Sequence, residues 1–481
     1  MKNLFLYVVF FSVSFLLYSC IDSKKIEQDF DGVVVNIDTN SIKYVVDPKI
    51  FGICLMYWSE EDNIMEEGFI EDALKNIPCG FLRFPGGTDS DGYLWDEHRL
   101  ADDKRWPFID GEQTMDTDEF IALCRKTNAI PIICCNTEIA FFDSPEKAEE
   151  LAAGWVKYCN IDNDYDIKYW ELGNEPYYHT RFNGIEYANL FNRMSIAMKK
   201  VDPDIMVGAV GEWNTKYSGM KSEIDPSKWK EVQEIEYQFE TGQWDLLSKI
   251  HSYRTIKDGP SWWKQVLEIA GDNVDFLSTH WYYDFSQLEV MENETGKLKN
   301  LCLSITGKEL PIATTEWNLH EGIEAKGMKR AVAVSEALGR MLDGGVTMSN
   351  IWPFRCQGEY HGKKSLLNWN DNSPTANYWV FKQFATLGNM TRIESESVND
   401  SIYHYACKDN KGVYYVMLIN RYNVDIDVII SDKNALSFNA GIISPSFDDP
   451  SNSVSFDSLY CNKGKITVPA FSTVLCTSDN N

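Results

Sequence analysis

The stretch "KYWELGNEPYY", residues Lys168–Tyr178, places an acidic side chain between Asn174 and Pro176, directly after an aromatic run. That run has the pattern of a short buried strand, and a proline disfavours continuation of a strand. We therefore expect Glu175 at the point where a strand gives way to a loop. Whether this position has a chemical role depends on the fold.

Short apolar runs of the same kind alternate with longer amphipathic segments along most of the chain. Helical patterns occupy residues 144–159, 329–342 and 373–388. This alternation predicts an α/β fold, a closed parallel (β/α)8 TIM barrel. A doubly wound open sheet is the alternative, but no Gly-rich phosphate loop follows the first strand. The eight strand candidates are residues 51–58, 80–87, 130–136, 168–176, 204–211, 274–282, 312–318 and 346–354.

The pattern changes at about residue 391, after which short alternating strands follow one another without helices. This predicts an accessory C-terminal β-sandwich, which the early strand-like run "VVVNID" (33–38) is expected to join. The expected division is a lipoprotein signal peptide (1–20), a polar tether (21–31), an N-terminal strand region (32–45), the barrel (46–390) and the sandwich (391–481).

Composition narrows the classes of partner. The chain has 45 Lys and Arg against 72 Asp and Glu, a net charge of −27, which disfavours nucleic acid and anionic membrane surfaces. Aromatic residues make up 13%, and such rings also stack on sugars. With seven His and no C-x-x-C or H-E-x-x-H motif, a metal hydrolase is not favoured, and no metal or cofactor is expected. Eleven Cys follow Cys20, an odd number that cannot all pair, and most are expected to be buried thiols.

The first twenty residues are typical of a targeting segment. A Lys near the start precedes an apolar run from Leu4 to Leu17 and then Ser19-Cys20, the pattern of a bacterial lipoprotein cleavage site. Lipidation of Cys20 would attach the exported protein to the outer membrane through that anchor alone. Tyr18 departs from the usual small or branched residue, and an ordinary secretory signal is the alternative.

Two acidic residues fall at strand ends of the predicted barrel, Glu175 after the fourth strand and Glu316 after the seventh. Active sites of such barrels lie at the C-terminal ends of the strands, so these carboxyl groups should face each other across the mouth. Hydrolysis of a glycosidic bond requires such a pair. A single acidic residue there would more often be a solvated loop charge, but two of them favour catalysis.

The motifs "WELGNEP" and "TTEWN" resemble the acid/base and nucleophile strands of the large clan of retaining (β/α)8 glycoside hydrolases. Within that clan the chain is most similar to glycoside hydrolase family 51, the α-L-arabinofuranosidases, and the resemblance covers most of residues 33–390. Five further stretches match that family in order: "VDPKIFG" (46–52), "LRFPGGTDSDGYLW" (82–95), "CCNTEIA" (134–140), "STHWYY" (278–283) and "SPTANYW" (373–379).

The resemblance implies a role for each matching residue. Glu175 would be the general acid/base, with the higher pKa of the pair, and Glu316 the nucleophile. Tyr282 and Arg83 would hold Glu316 and keep it ionised, although Arg83 could instead be a structural cation paired with Glu171. Four more residues would contact the sugar: Asn174 through a hydroxyl, His280 and Asn136 in less defined roles, and Trp352 as a stacking platform or a core residue.

Two departures leave the substrate open. Met56 replaces the Glu that reads the furanose hydroxyls in such arabinofuranosidases, and Thr88 replaces the Asn that follows "PGG". The expected function is a retaining, arabinofuranosidase-like glycoside hydrolase acting on plant or algal polysaccharide or its oligosaccharides. The alternatives are a β-glycosidase or endo-glycanase using the same two Glu, and a non-catalytic glycan-binding surface lipoprotein. A binder would have no need for both carboxyl groups.

Overall fold

The computed structural model contains two compact units, which are described separately. One unit is Asp47–Gly388, and the other combines the described residues up to Val46 with those from Asn389 onward. The expected targeting segment, tether and lipidation site at Cys20 lie outside the described residues. The structure describes residues 32–60, 65–78, 80–100, 114–177, 182–216, 223–224, 231, 254–255, 260–320, 325–397, 399–432, 436–448 and 453–479.

The larger unit is built on a closed barrel of eight strands. Every neighbouring pair is parallel, including the pair that closes the barrel between the last strand and the first. The predicted (β/α)8 fold is therefore confirmed. Barrel strands 1 to 8 are, in chain order, Gly52–Cys54, Phe81–Phe84, Ile130–Cys135, Tyr169–Leu172, Met206–Glu212, Phe276–Tyr283, Ile312–Leu319 and Met348–Ile351.

Helices occupy the intervals between the barrel strands. The predicted helix at 144–159 spans Pro145–Val156, where the Ser144 side chain accepts a hydrogen bond from the Lys147 amide and so caps the first turn. The other two predicted helices span Met328–Gly344 and Ala376–Ala385. The other α-helices among the described residues are Phe69–Lys75, Thr117–Thr127, Ile139–Phe142, Gly184–Val201, Trp262–Ala270, Met291–Thr306 and Glu359–Gly362.

The barrel interior away from the mouth is filled by apolar side chains. Phe81, Ile132, Phe276, Ala313 and Met348 form one buried cluster contributed by five different strands. Such layers make a TIM barrel a packed core rather than a pore, so polar side chains near the C-terminal strand ends define the site. No helix within the described ranges combines the length and apolarity needed to cross a membrane.

The smaller unit is a nine-stranded arrangement, and among the described residues no α-helix lies between its strands from Thr391 onward. Its first strand, Val33–Val45, pairs antiparallel with Thr391–Ser397 and parallel with Ile426–Ser431. Alternate residues, among them Val35, Phe438 and Val474, meet in one apolar core, as a sandwich requires. The other strands are Tyr403–Lys408, Tyr414–Asn420, Phe438–Pro445, Val454–Cys461, Lys465–Val468 and Ser472–Ser478. The accessory sandwich is confirmed.

Two short two-stranded ribbons complete the regular structure. Tyr93–Leu94 pairs with Arg99–Leu100 beyond barrel strand 2, and Glu223–Ile224 pairs with Arg254–Thr255 beyond barrel strand 5. The ten cysteines within the described ranges are all buried, in line with the expectation that most of the thiols are core residues.

Candidate active site

The mouth of the barrel brings together a cluster of ionisable side chains, all buried except Glu175, which is half-buried. Arg83, Glu175, His280 and Glu316 come from barrel strands 2, 4, 6 and 7 or the residues that follow them. Glu316 is only 6% exposed and His280 only 2% exposed. Charged groups withdrawn from water to this extent must be paired, and their partners define the site.

Glu175 is placed by a glycine at the end of barrel strand 4. Gly173 has φ = 83°, a left-handed conformation that favours glycine, and a Cβ there would lie 2.5 Å from Thr137 Oγ1. The chain therefore turns sharply after Leu172 and carries Glu175 over the mouth. The Tyr177 hydroxyl donates to Glu175 Oε1 at 3.1 Å.

Glu316 is placed by an irregularity in barrel strand 7. In the pairing with strand 6, Thr279 lies opposite Thr314 but His280 lies opposite Glu316, so Thr315 is an extra residue. A bulge of this kind re-aims side chains. As a result the side chains of both Thr315 and Glu316 turn into the barrel, where Thr315 Oγ1 donates to Glu171 Oε1 at 2.6 Å.

The Glu316 carboxylate accepts hydrogen bonds from two side chains. The Tyr282 hydroxyl donates to Oε1 at 2.5 Å, and Arg83 Nη1 donates to Oε2 at 3.2 Å. Arg83 also donates from Nε to Glu171 Oε2 at 2.7 Å and from Nη2 to Asn174 Oδ1 at 2.9 Å. Arg83 therefore both pairs with Glu171 as a structural cation and holds Glu316, since the same guanidinium contacts both carboxylates.

Glu171 is fully buried and holds Arg83 in place. Burial raises the pKa of its carboxyl group, but the charges of Arg83 and His280 and the hydroxyls of Ser278 and Thr315 lower it more, so the pKa lies below its ordinary value. The Ser278 hydroxyl donates to Glu171 Oε1 at 2.5 Å. Glu171 is thus a permanent carboxylate that positions the guanidinium.

His280 lies between the two catalytic candidates. Its Nδ1 is 3.1 Å from Glu175 Oε1 and 3.8 Å from Glu316 Oε2. Burial lowers the pKa of this imidazole, whereas the Glu316 charge and the Glu175 hydrogen bond and charge raise it, and the net direction is upward. His280 therefore holds its proton to a higher pH than an ordinary histidine and supplies positive charge to both carboxyl groups.

The pKa of Glu316 lies above its ordinary value. Burial raises this pKa above 4.5, and His280, Arg83 and Tyr282 oppose that shift without cancelling it, while Glu175 adds to it. A nucleophile enclosed by the barrel loses its hydration, and the donors around it compensate for only part of that loss.

The spacing of these groups is short. One oxygen of Glu175, one nitrogen of His280 and one oxygen of Glu316 all lie within 4.8 Å of one another. Among the described residues this trio has the spacing of a possible metal-ligand set. The same distances also suit a reaction in which one carboxyl group transfers a proton to one substrate atom while the other attacks the atom bonded to it.

The other expected site residues lie in different surroundings. Asn174 is buried beside Arg83, and its backbone N–H donates to Asp91 Oδ1 at 3.0 Å. Asn136 caps its own loop, accepting from the Ile139 amide at 3.0 Å and donating to the Tyr93 carbonyl at 3.5 Å. The Asn136 side chain thus positions the loop after barrel strand 3.

Trp352 directly follows barrel strand 8 and faces the nucleophile across Gly87. A Cβ on Gly87 would lie 3.5 Å from both Trp352 Nε1 and Glu316 Oε2, so the glycine keeps this space open. The buried Trp352 Nε1 has no hydrogen-bond partner within the described part of the chain. Its position fits a sugar contact through the indole N–H as well as through the ring.

Two residues of the mouth were missed by sequence reasoning. Glu212 ends barrel strand 5, and desolvation together with the Glu175 charge raises the pKa of its carboxyl group to about 8, although His280 opposes this. The strand-end rule that selected Glu175 would also have found Glu212. Lys364 is fully buried, with its Nζ 4.9 Å from the Tyr282 ring centre and 5.2 Å from that of Trp352. It lies in a loop after strand 8, and no sequence pattern marks it.

Comparison with known proteins supports the resemblance. Residues 73–256 match the family model "Alpha-L-arabinofuranosidase 1 domain". Alpha-L-arabinofuranosidase C of Emericella nidulans is 26% identical over 245 residues, 42% of this chain and 47% of that protein. An intracellular exo-alpha-(1->5)-L-arabinofuranosidase of Bacillus subtilis is 25% identical over 258 residues, 47% of this chain and 42% of that protein. The matches span less than half of these relatives.

Solved structures share the fold over nearly the whole chain. The alpha-L-arabinofuranosidase of Thermotoga maritima in complex with arabinose has a TM-score of 0.68 at 17% identity, covering 92% of this chain and 99% of that one. CelM2, a bifunctional glucanase-xylanase from a metagenome library, has a TM-score of 0.64 at 14% identity, covering 94% and 99%. The resemblance to glycoside hydrolase family 51 is confirmed.

Replacing Tyr282 by Phe tests the short hydrogen bond in this family 51-like site. The change removes the hydroxyl that donates to Glu316 Oε1 while keeping the ring, so kcat/KM should fall by about 10- to 100-fold, the value of a hydrogen bond to a charged group. Steady-state kinetics on an aryl glycoside measure this. Tyr403→Phe in the smaller unit is the control and should retain full activity, and an unchanged Tyr282→Phe rate would contradict the role.

Replacing His280 by Asn tests whether the charge of the imidazole lowers the pKa of Glu316. An ionised nucleophile loses activity as the pH falls through its pKa, and the cationic imidazole lowers the pKa of Glu316. Without that charge the pKa should rise further, so the acid limb of the kcat/KM profile should move to higher pH. His404→Asn in the smaller unit should leave the profile in place. An acid limb that stays fixed or moves to lower pH in His280→Asn would refute the assignment.

Proposed function

We propose that the chain is a retaining glycoside hydrolase of the arabinofuranosidase type that acts on plant or algal polysaccharide or its oligosaccharides. The observation that carries the proposal is the short distance between Glu175 and Glu316. One carboxyl oxygen of Glu175 lies within 4.8 Å of one carboxyl oxygen of Glu316. Retaining enzymes hold their two carboxyl groups about 5–5.5 Å apart, whereas inverting enzymes need about 6.5–9.5 Å to admit a water molecule. The gap here leaves no room for that water.

The geometry supports a double displacement. In the first step Glu316 forms a bond to the anomeric carbon as the bond to the leaving oxygen breaks, and Glu175 gives its proton to that oxygen. In the second step Glu175 takes a proton from water, whose oxygen attacks the anomeric carbon and releases Glu316 as a carboxylate. The enzyme ends in its initial protonation state.

The surrounding residues position these two groups. Tyr282 and Arg83 each bond a different oxygen of Glu316, which fixes the plane of the carboxylate for attack. Arg83 also orients Asn174, so the side chain proposed to bond a sugar hydroxyl is tied to the group that orients the nucleophile. Such preorganisation lowers the cost of reaching the transition state.

A β-glycosidase or endo-glycanase with the same two carboxyl groups is the second candidate. It is favoured by Met56, which is 4% exposed and packs against Gly86 at the mouth. The thioether of Met56 cannot bind the sugar hydroxyls as a carboxylate would. A shared fold with a glucanase-xylanase is compatible with it. A non-catalytic glycan binder is disfavoured because binding alone does not require two carboxyl groups at bond-breaking distance.

Azide rescue separates the roles of the two carboxyl groups. Glu316→Ala should lose turnover and regain it with azide, giving a sugar azide of inverted configuration, because azide takes the nucleophile's place. Glu175→Ala should still form the covalent ester from aryl glycosides with good leaving groups, which need little protonation. Azide should then release that ester with retained configuration, and NMR of the products distinguishes the two outcomes.

Glu309→Ala, which changes an exposed carboxyl group away from the mouth, is the control and should behave as the wild type. An inverted product from the wild-type enzyme would overturn the retaining mechanism. Activity on no member of an aryl-glycoside panel that includes 4-nitrophenyl α-L-arabinofuranoside and β-xyloside would overturn the proposed function.

We further propose that the protein is exported and lipidated at Cys20 on the bacterial outer membrane. The support is the apolar run from Leu4 to Leu17 followed by Ser19-Cys20. Metabolic labelling with a fatty-acid analogue should mark the wild type and fail to mark Cys20→Ala, since that thiol is the attachment point. Cys302→Ala serves as a matched cysteine control that should label normally. Equal labelling of the wild type and Cys20→Ala, or of neither, would contradict lipidation.

A further inference from the structure

Two tryptophans form an aromatic pair at the edge of the mouth. Trp58 lies four residues beyond the end of barrel strand 1, and Trp369 lies in the segment that follows barrel strand 8. Their ring centres are 5.9 Å apart, with the planes inclined by 50°. Both side chains are half-buried, so part of each ring faces solvent. Large aromatic rings left partly exposed in this way are suited to binding.

The pair, here called the Trp58–Trp369 pair, is connected to the catalytic site through one loop. Trp58 Nε1 donates to Asp89 Oδ2 at 2.7 Å. Asp89 is two residues beyond Gly87, whose Cβ position is 3.5 Å from Glu316 Oε2. Two residues of chain span at most about 7 Å, so the pair and the nucleophile line the same mouth.

A buried arginine, Arg355, packs against one face of the Trp369 ring. The Arg355 guanidinium carbon lies 4.4 Å from the Trp369 ring centre, and Nη1 donates to Asn372 Oδ1 at 2.8 Å. Arg355 also donates to the Ser59 carbonyl, and its Nε lies 3.7 Å from the buried Glu60 carboxylate. One face of the indole is therefore fixed by a cation that is itself fixed. A rigid ring of this kind loses little entropy when a ligand binds.

The edge of Trp369 is also available. Within the part of the chain that the structure describes, its indole N–H donates to no protein group, in contrast to that of Trp58. An apolar ring face beside an unused donor matches the two surfaces of a sugar ring, its C–H face and its hydroxyl groups. The arrangement therefore fits a saccharide better than a purely apolar ligand.

The position in the barrel indicates which part of a substrate would reach the pair. Glu175 follows strand 4 and protonates the leaving oxygen, so the leaving group lies on that side. Strand 1 pairs with strand 8 on the far side of the closed barrel from strand 4. Two strands, 2 and 3, separate strand 1 from strand 4, and three strands, 5 to 7, separate strand 8 from it. A ligand on the pair would thus extend from the sugar that stays bound to Glu316, away from the leaving group.

We infer that Trp58 and Trp369 form a second sugar subsite, which binds the unit attached to the sugar that Glu316 attacks. This inference rests on the proposed glycosidase function and deepens it. The enzyme then prefers substrates with at least two linked sugars on the non-leaving side, and it releases oligosaccharides or cuts within a chain rather than removing single terminal residues. The apolar Met56 near the sugar that Glu316 attacks is consistent with this preference, because it cannot hydrogen-bond the hydroxyls of that sugar. Binding of the neighbouring sugar unit would then supply the specificity.

Matched aryl glycosides test the subsite. With the same 4-nitrophenyl leaving group, an extra sugar can only lie on the non-leaving side, so the probes are the xyloside and xylobioside, the glucoside and cellobioside, and the arabinofuranoside and its 1,5-linked bioside. In the series that the wild type cleaves, kcat/KM should be about 2- to 12-fold higher for the two-sugar probe, the value of an aromatic contact.

Trp369→Ala should abolish this preference and leave the one-sugar rate unchanged, while Trp369→Phe should restore part of it. The unchanged one-sugar rate shows that the variant is folded. Trp379→Ala, a half-buried indole on the outer helix Ala376–Ala385, is the control and should keep the wild-type ratio.

Equal rates for both members of a cleaved pair, or a preference that survives in Trp369→Ala, would overturn the subsite and leave the glycosidase function standing. Cleavage of no probe would instead overturn the function on which the subsite rests. The two failures are therefore distinguishable in one set of assays.

Discussion

The site depends on one buried guanidinium. Arg83 contacts carboxylates from two other strands, Glu171 at 2.7 Å and Glu316 at 3.2 Å, and it also orients Asn174. A cation with no exposed surface is costly unless its partners remain ionised, and removing one partner of such a pair costs about 3–5 kcal/mol. The arrangement of strands 2, 4 and 7 around the mouth and the orientation of the nucleophile are therefore set by the same interaction.

The two catalytic candidates differ because their surroundings differ. Glu316 lies deeper, between Arg83, Tyr282 and His280, whereas Glu175 contacts the His280 imidazole and the Tyr177 hydroxyl at a more exposed point. Burial raises the pKa of Glu316, and the cationic His280 limits that rise. One histidine thus lies within reach of both carboxyl groups, and its charge acts on each of them.

Much of this could be predicted from the sequence, for identifiable reasons. Strand ends are marked locally by proline and glycine, so the positions of Glu175 and Glu316 at the barrel mouth followed from the strand count. Contacts between distant residues left no such mark. The buried Lys364 beside Tyr282, the capping role of Asn136 and the support of Trp369 by Arg355 each join segments that no periodicity connects.

The sequence by itself determined the barrel, the accessory sandwich and the pair of strand-end carboxyl groups, because alternation of apolar residues and turn residues are local properties. The tertiary structure alone decided three things: the extra residue Thr315 that turns Glu316 inward, the direction of the Glu316 pKa, and the aromatic pair formed by Trp58 and Trp369. Each depends on which atoms meet across the closed barrel and how much water they exclude, and this proximity is created only by folding.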